Sequence, residues 1–337
     1  MGDRTGIAWT DATWNPIRGC TRVSEGCRNC YAESVAARFS GAGLPYEGLT
    51  RDGKWTGEVR VVERHFLDPL RWEKPRRIFV NSMSDLFHPN VTDETIDRVF
   101  AVMALAPQHT FQVLTKRPER MQAYLSRTRG EGNVLYRIVK AAQATAKPER
   151  GLLRGEFAHD MGWPIRNVWL GVSVEDQATA DARVPLLLQT PAAVRFISYE
   201  PALGPVDFTR INMDGRRLDA LSAARFDGAG SLAAAHPIRG LDWIIVGGES
   251  GPRARPFDVA WARKTVADCK AAGVACFVKQ LGATAVGLPV PNDGRAVWRD
   301  GRFDGRLRDR AGADPAEWPE DLRVREFPTS ALRESRP

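Results

Sequence analysis

Long apolar runs are missing from this chain of 337 residues. Runs such as Trp243–Val246 have only a few residues, and none approaches the roughly 20 that a helix needs to span a bilayer. The N-terminus carries charge at Asp3 and Arg4 and lacks the apolar core of a secretory signal. We therefore expect a cytoplasmic protein without a membrane partner.

Cysteine and histidine are both scarce, with five of each. An odd number of cysteines without a secretory signal argues against a disulfide framework. Cys20, Cys27 and Cys30 lie close together in the sequence, and this clustering indicates a metal site. Cys269 and Cys276 fall in a predicted helix and a predicted strand, where we expect buried thiols.

The excess of positive charge is modest, with 48 Lys and Arg against 41 Asp and Glu, a net charge of +7. This balance is compatible with a polyanionic partner such as nucleic acid, and equally with a solvated basic surface. The ten tryptophans are scattered, so no aromatic platform for single-stranded nucleic acid is visible.

Short apolar segments alternate with stretches of helical periodicity. These segments are β-branched or aromatic and apolar on both faces, which is typical of buried parallel strands. The six clear ones are Arg77–Val80, Phe111–Leu114, Val168–Val172, Val194–Ile197, Trp243–Val246 and Ala275–Val278, and a seventh precedes Cys20. The pattern predicts an α/β fold, a partial parallel (β/α) barrel of about six or seven strands. An open doubly wound sheet is the alternative.

Capping residues bound two of the predicted helices. One covers Asp93–Leu105 with Thr92 as its N-cap. Another covers Phe257–Ala272 and ends at Gly273.

Three segments interrupt the alternation. Residues 127–160 are charged and helix-prone, and residues 212–236, rich in Ala, Arg, Asp and Gly, predict a surface insertion. Beyond Gly282, repeated Asp-Gly pairs mark turns. We therefore predict a barrel domain over residues 1–283 and an irregular C-terminal extension over residues 284–337, packed on it as small strands and loops.

Cys20, Cys27 and Cys30 lie in residues 14–33, which we call the cysteine loop. Their spacing is Cys-x6-Cys-x2-Cys. Gly19 and Gly26 precede two of them and allow the backbone to pass close to a bound inorganic group. The sequence turns helical from Tyr31 onward, which places Cys30 at a helix N-terminus, where the dipole favours a thiolate. The apolar face of that helix would consist of Ala32, Val35, Ala36 and Phe39.

Three thiolates bind soft metals, and two kinds of metal site compete. A structural zinc site needs a fourth ligand, and the histidine closest in sequence, His65, is distant. An iron–sulfur cluster with three protein ligands leaves one iron open, and we favour it. A role in packing alone is disfavoured, because loop cysteines between glycines do not fill a core.

A strand, a three-cysteine loop and a helix, opening a series of parallel βα units, resemble the radical S-adenosylmethionine superfamily. The similarity is closer to the uncharacterised phage and prophage three-cysteine-motif proteins. Its motifs extend nearly from end to end and comprise Ile7–Glu33, Asn81–His88, Leu114–Arg120, Gly171–Glu175, Val246–Pro252 and Asp314–Pro328. The first cysteine gap, six residues, is longer than the three that are usual in the superfamily.

The resemblance implies a 4Fe-4S cluster held by Cys20, Cys27 and Cys30, whose fourth iron is chelated by S-adenosyl-L-methionine. It also implies an electron donor that reduces the cluster, and cleavage of the cofactor to a 5′-deoxyadenosyl radical that abstracts hydrogen from a substrate. The protein would position the cofactor and exclude water. The sequence assigns no catalytic residue.

The resemblance also makes Ser82, Ser84 and Asp85 candidates for holding the methionine moiety of the cofactor. These residues follow a predicted strand, and a parallel barrel collects such strand ends at its active-site face. The Asp85 carboxylate would pair with the cofactor ammonium; the alternative is an aspartate that caps the next turn.

Charged residues follow the later strands as well. Lys116 and Arg117 are candidates to clamp a carboxylate or phosphate. Glu175 and Glu200 are candidates to bind ribose hydroxyls or a cationic substrate, and ion pairing among these charges is the alternative. Lys279, at the end of the last clear strand with Gln280, is expected to face the same pocket.

The segment Gly247–Gly251 does not match the dinucleotide fingerprint Gly-x-Gly-x-x-Gly. We interpret it as a tight turn that brings backbone close to a ligand, with Arg253 and Arg255 as candidates to bind phosphate. His88 and His109 are candidates for a proton donor.

Three functions stay open. The first is a radical enzyme that modifies a nucleic-acid base, with nucleic acid or a nucleotide as substrate. The second is a zinc-stabilised nucleic-acid-binding protein without catalysis. The third is a radical enzyme that acts on a peptide or a small metabolite, and a partner protein that delivers the substrate is compatible with either radical enzyme.

Overall fold

The computed structural model describes residues 5–127, 132–145, 162–222, 225–226, 239–290, 296–299 and 302–329. It contains a seven-stranded sheet. Its strands are β1 (Ala12–Trp14), β2 (Arg77–Val80), β3 (Thr110–Thr115), β4 (Val168–Val174), β5 (Val194–Tyr199), β6 (Trp243–Gly247) and β7 (Ala275–Gln280). The predicted α/β class is confirmed.

The strands lie in the sheet in the same order as in the chain, from β1 to β7. The pairs β1–β2, β2–β3, β3–β4, β5–β6 and β6–β7 are parallel. A sequential order has no point at which the strand order reverses, which agrees with a (β/α) barrel topology and not with a doubly wound sheet.

Every strand predicted from an apolar run is confirmed, and most are longer than predicted. β4 continues to Val174, β5 to Tyr199 and β7 to Gln280. Parallel pairing continues past the apolar run because it uses backbone groups, which polar residues also carry. Several residues expected to follow a strand are therefore its last members.

Six helices are described: α1 (Tyr31–Arg38), α2 (Asp93–Ala104), α3 (Pro118–Leu125), α4 (Val134–Thr145), α5 (Gln177–Gln189) and α6 (Val259–Ala272). The predicted N-cap of α2 is confirmed, since the Thr92 side chain accepts a hydrogen bond from the Thr95 backbone N–H. Within the described part of the chain, no helix combines the length and apolarity that crossing a membrane requires.

Helix α6 begins two residues later than predicted. Its N-cap is Asp258, whose side chain accepts from the Ala260 N–H. Phe257–Asp258 is instead a short strand that pairs with Ala285–Val286. The predicted end is confirmed, because Gly273 adopts a left-handed φ of 69°.

The remaining regular segments are short. Ile17–Arg18 pairs with Arg60–Val61, and Thr50–Arg51 pairs with Lys54–Trp55. The described 3₁₀ turns are Glu25–Cys27, Glu63–His65, Asp68–Arg71, Pro315–Glu317 and Glu320–Leu322.

The chain divides into two compact units, which we describe separately. The first unit comprises Met1–Val172 with Gln189–Val194, and the second comprises Ser173–Leu188 with Arg195–Pro337. The domain boundary predicted after residue 283 stays a prediction.

In the first unit, apolar packing positions the cysteine loop. Trp14 of β1 is fully buried, and its ring lies 6.2 Å from that of Phe66 and 6.0 Å from that of Phe111. Helix α1 packs on a small core that consists of Ala36, Tyr46, Leu49 and Met83, with Ala32, Val35 and Trp55 at its margin. Phe39 was expected on this apolar face, but it is 49% exposed because α1 ends at Arg38.

Both predicted insertions are described in part. In residues 127–160, the segment Val134–Thr145 forms α4, as its helical pattern predicts. Residues 128–131 and 146–161 lie outside the described residues. In residues 212–236, an antiparallel sheet pairs Ile211–Met213 with Arg216–Leu218 and the latter with Arg225–Phe226. Residues 223–224 and 227–236 lie outside the described residues.

In the second unit, the C-terminal residues lie along strand β7. Val278 N–H donates to the Val324 carbonyl, and Glu326 N–H donates to the Cys276 carbonyl. The Trp243 indole donates to the Glu326 carbonyl at 2.9 Å. Ala296–Arg299 and Arg302–Gly305 form an antiparallel pair, as expected for an extension of small strands.

Candidate functional site

The cysteine loop begins directly after β1. Gly19 forms a parallel bridge with Ser84, and Cys20 follows it. Cys27 ends a 3₁₀ turn, and Cys30 is the residue that precedes helix α1, as predicted. All three cysteines are free thiols with intermediate exposure. A metal ion from solution can therefore reach them.

The backbone at Gly19 lies so close to the backbone of Glu58 that only glycine fits. Its φ is +97°, and a Cβ there would lie 2.0 Å from the Glu58 carbonyl oxygen. The backbone of Glu58 thus excludes a side chain at this position, and the part of Gly19 beside a bound inorganic group stays a prediction.

Residues after β2 fasten the loop. The Asn15 amide and the Ser82 hydroxyl are hydrogen-bonded at 3.1–3.2 Å, and the Met83 N–H donates to Asn15 Oδ1. The Ser84 hydroxyl donates to the Ile17 carbonyl at 3.0 Å. Both predicted serines thus hold the start of the loop against β2, and their part in cofactor binding stays a prediction.

The Asp85 carboxylate accepts four hydrogen bonds from the protein. Oδ1 accepts from Thr115 Oγ1 at 2.7 Å and from the Phe87 N–H at 2.9 Å. Oδ2 accepts from the Lys116 N–H at 3.1 Å and from Arg117 Nη1 at 2.9 Å. The bond to Phe87 is the turn contact weighed as the alternative role, and the other three bind Asp85 to the end of β3.

Arg117 connects Asp85 to the cysteine loop. Besides its bond to Asp85, Nη1 lies 3.9 Å from Cys20 Sγ. Nη2 donates to the carbonyl of Thr21 at 3.1 Å and to its hydroxyl at 2.7 Å. The arginine expected to clamp an external anion therefore binds an internal carboxylate and a cysteine segment.

His88 holds the same threonine from the other side. Its Nε2 lies 3.0 Å from Thr21 Oγ1, and its Nδ1 accepts from the Asn90 N–H. This pattern assigns a neutral ring with the proton on Nε2. Burial, with Arg117, lowers the pKa of His88. The other candidate proton donor, His109, is buried against the Pro69 carbonyl.

Two of the loop thiols are held in the protonated form by their surroundings. Burial and Asp85 raise the pKa of Cys20 to about 12, and Arg117 opposes them. Burial also raises the pKa of Cys30, against the lowering effect of the Glu33 N–H at the start of α1. A metal bound here would displace these protons, because thiolate is the metal-binding form.

Cations beside the loop oppose the rise in the pKa of Cys20 and Cys30. Arg117 lowers the pKa of Cys20, and Lys116 lowers that of Cys30. Arg22 is ion-paired with the buried Glu33. The Glu33 carboxylate is the main cause of a raised pKa of Arg22, and Cys27 and Cys30 contribute less. The side chain of Lys116, predicted to bind a cofactor, thus acts on the cysteine loop.

The arrangement of the thiols bears on the kind of metal group. Among the residues that the structure describes, no three His, Cys, Asp or Glu side chains converge closely enough to hold one metal ion. Zinc requires its ligands within about 2.0–2.3 Å of a single centre. A cluster is larger and is bound by thiolates that stand apart on different irons. Which of the two metal groups Cys20, Cys27 and Cys30 hold stays a prediction.

In the second unit, both predicted carboxylates are ion-paired. Glu175 is buried, and its oxygens lie 3.1–3.2 Å from Arg183 Nη1, which also donates to the Ser173 carbonyl. Glu200 is paired with Lys279, which is partly buried. Both glutamates are thus ion-paired within the protein, and their part in binding a cofactor or substrate stays a prediction.

The turn at Gly247–Gly251 also approaches its own chain. A Cβ on Gly248 would lie 2.8 Å from the Leu281 carbonyl oxygen and 2.8 Å from Phe257 Cβ. The close approach of this turn to a ligand stays a prediction. Arg255, a candidate phosphate ligand, binds the Glu249 carboxylate through its backbone N–H and its Nε.

Sequence reasoning missed several members of this site. Thr21, Asn15 and Thr115 carry the hydrogen bonds that assemble it. Asn81 was also missed: it has a left-handed φ of 60°, and neither polar atom of its buried side chain has a hydrogen-bond partner. The available signal was position, since Asn81 and Thr115 lie at the carboxyl ends of predicted strands.

Comparison with known proteins identifies a family but no function. A family model described as "Protein of unknown function (DUF5131)" matches residues 4–311. No curated protein and no solved structure matches the chain. Because the match covers most of its length, the chain belongs to the family Protein of unknown function (DUF5131).

Proposed function

We propose that this protein is an iron–sulfur enzyme of the radical S-adenosylmethionine type, whose 4Fe-4S cluster is held by Cys20, Cys27 and Cys30. One observation carries the proposal: three free, partly exposed thiols lie on one loop after β1. That loop is fastened to the ends of β2 and β3 and is surrounded by cations.

The number of cysteine ligands supports a cluster that has one iron free to bind a small molecule. Three thiolates satisfy three irons and leave the fourth for S-adenosyl-L-methionine. The sequential parallel sheet supports a radical-enzyme barrel, because its strand ends carry the loop and the polar network.

When bound, the cluster and S-adenosyl-L-methionine supply one-electron chemistry: an electron from an external donor breaks a sulfonium C–S bond, which yields methionine and a 5′-deoxyadenosyl radical. The chain's own residues bind and orient these groups. Ser82 and Ser84 hold the loop in register with β2, and Asp85 positions Arg117. Lys116, Arg117 and Arg22 offset the negative charge of the thiolates.

The cofactor-binding set comprises Ser82, Ser84, Asp85, Lys116, Glu175 and Glu200. For Asp85, Glu175 and Glu200, binding the cofactor would require the exchange of a protein cation for a cofactor group, because each is ion-paired. We place the enzyme in the cytoplasm.

We propose a nucleic-acid base as the substrate, on the basis of the net charge of +7 and the resemblance to phage proteins. A peptide or a small metabolite is the competing substrate class. Incubating the reduced enzyme with DNA, RNA, nucleotides or peptides, and measuring 5′-deoxyadenosine formation above the substrate-free rate, separates these classes.

The cluster itself is tested by anaerobic purification. We expect a brown protein with charge-transfer absorption and roughly four iron and four sulfide per chain. A colourless protein that carries one zinc ion would overturn the enzyme proposal and leave a zinc-stabilised nucleic-acid-binding protein.

The radical chemistry is tested by adding dithionite and S-adenosyl-L-methionine to the cluster-loaded protein. We expect 5′-deoxyadenosine and methionine in equal amounts, detected by chromatography and mass spectrometry. A fully loaded cluster that releases neither product would contradict this part of the proposal.

A further inference from the structure

We propose that Arg117 and Asp85 together set the reduction potential of the cluster on the cysteine loop, Arg117 raising it and Asp85 lowering it. The inference rests on the proposed function in one respect, the presence of a cluster on Cys20. It concerns two positioning residues, since both act on the cluster through Cys20.

The geometry places one guanidinium nitrogen between the carboxylate and the thiol. Arg117 Nη1 is 2.9 Å from Asp85 Oδ2 and 3.9 Å from Cys20 Sγ. Nη2 is held by the carbonyl and hydroxyl of Thr21. With both nitrogens anchored, the guanidinium cannot turn away from the sulfur without losing these bonds.

The carboxylate is equally constrained. Asp85 accepts from Thr115 and from two backbone N–H groups in addition to Arg117. Its position therefore does not depend on the arginine alone. Each charge can be removed while the other group keeps most of its contacts.

Burial makes these charges effective. The side chains of Arg117 and Asp85 are 10% and 8% exposed. Water screens such charges poorly, so they act on a neighbouring sulfur more strongly than surface charges would. Hydrogen bonds to cluster sulfurs and nearby charge are among the factors that set cluster potentials.

The two residues act with opposite signs. Reduction adds one electron from the external donor to the cluster, whose negative charge rises by one. A guanidinium near Cys20 stabilises the added charge, and a carboxylate near Cys20 destabilises it.

The opposite signs separate this role from a purely structural one. Arg117 and Asp85 belong to one hydrogen-bonded network, so loss of either loosens the same loop. A structural role would lower cluster content in both variants and leave the potential of the loaded fraction unchanged, or move it in the same direction.

The experiment compares Arg117→Gln, Asp85→Asn and the double variant, each as the full chain with reconstituted cluster. Midpoint potentials come from anaerobic redox titration followed by electron paramagnetic resonance, with iron per chain measured in parallel. We expect a lower potential for Arg117→Gln, a higher one for Asp85→Asn, and a value near the wild type for the double variant. Arg98→Gln, which breaks an exposed ion pair with Glu63, is the control and leaves the potential unchanged.

Shifts of the same sign, or unchanged potentials at full loading, would overturn the inference. If Arg117→Gln does not hold a cluster, Asp85→Asn decides alone: a rise supports the inference and a fall or no change overturns it. A wild-type cluster that titrates but does not cleave S-adenosyl-L-methionine would contradict the proposed function and leave these shifts interpretable. A wild type without any cluster overturns both.

Discussion

Cysteine occurs in both units of the molecule, in two very different settings. In the first unit, Cys20, Cys27 and Cys30 lie partly exposed on a loop. In the second unit, Cys269 on α6 and Cys276 on β7 are each 1% exposed.

The charged side chains around the two groups of thiols also differ. A hydrogen bond with Cys276, together with burial, raises the pKa of Cys269, and Asp268 and Glu326 add to the effect. In the loop, burial also raises the pKa of Cys20 and Cys30, but Arg117 and Lys116 oppose this rise. The comparison teaches that a neighbouring cation and access to solvent separate a candidate metal ligand from a packed thiol.

The largest expected effect is the loss of iron when a loop cysteine is replaced, but not when a buried cysteine of the second unit is replaced. Replacing Cys27 with Ala should remove nearly all iron and the visible absorption, because a cluster with two remaining thiolates is poorly held. Replacing Cys276 with Ala, the matched control, should leave roughly four iron per chain. Iron and sulfide analysis of anaerobically purified proteins checks both.

A brown Cys27→Ala protein with full iron content would mean that other residues bind the cluster. Equal iron loss from Cys276→Ala would remove the distinction between the two groups.

The next effect concerns the reactivity of the metal-free protein with iodoacetamide. The pKa of Cys20 is raised to about 12, so its thiolate is a minor species from pH 7 to 9. Its alkylation rate should rise about tenfold per pH unit over that range without reaching a plateau. Cys269 and Cys276 should not react until the protein unfolds, because solvent does not reach them. Mass spectrometry of the peptides measures each rate.

A plateau near pH 8.5 at Cys20, the behaviour of an ordinary thiol, would contradict the raised pKa. Reaction of Cys276 in the folded protein at the rate of Cys20 would contradict its burial. In denaturant, all five cysteines should react at similar rates.

The smallest effect is on stability. Cys269→Ala removes one buried heavy atom and should lower the free energy of unfolding by about 1 kcal/mol. Iron content should not change. Urea denaturation of the metal-free protein measures the difference, and Cys27→Ala is the control, with a smaller loss because Cys27 is partly exposed. A larger loss for Cys27→Ala would indicate that the loop thiol packs the fold.

Much of the fold could be predicted from local pattern. The strands follow from short apolar runs, because a buried parallel strand must be apolar on both faces. Thr92 and Gly273 mark helix ends for local reasons. The Thr92 side chain accepts a hydrogen bond from a free backbone N–H at the helix start, and Gly273 adopts the left-handed φ that ends a helix. The placement of Cys30 directly before α1 is of the same local kind.

The candidate site was only partly predictable. Its cysteines and Asp85 were found, since their types and positions after strands indicate chemistry. Their partners were not, because Asp85 and Arg117 are 32 residues apart and Glu200 and Lys279 are 79 apart. The approach of Gly19 to the Glu58 carbonyl was not predicted either, because the two residues are far apart in the sequence.

The sequence by itself determined the elements, their order and the three-cysteine loop, because periodicity, capping and spacing act over a few residues. Only the tertiary structure decided what each charged strand end does. Parallel pairing brings distant ends together, and a buried charge there must find a partner. In the second unit, Glu175 and Glu200 pair with Arg183 and Lys279; in the first, Asp85 pairs with Arg117 beside the Cys20 thiol.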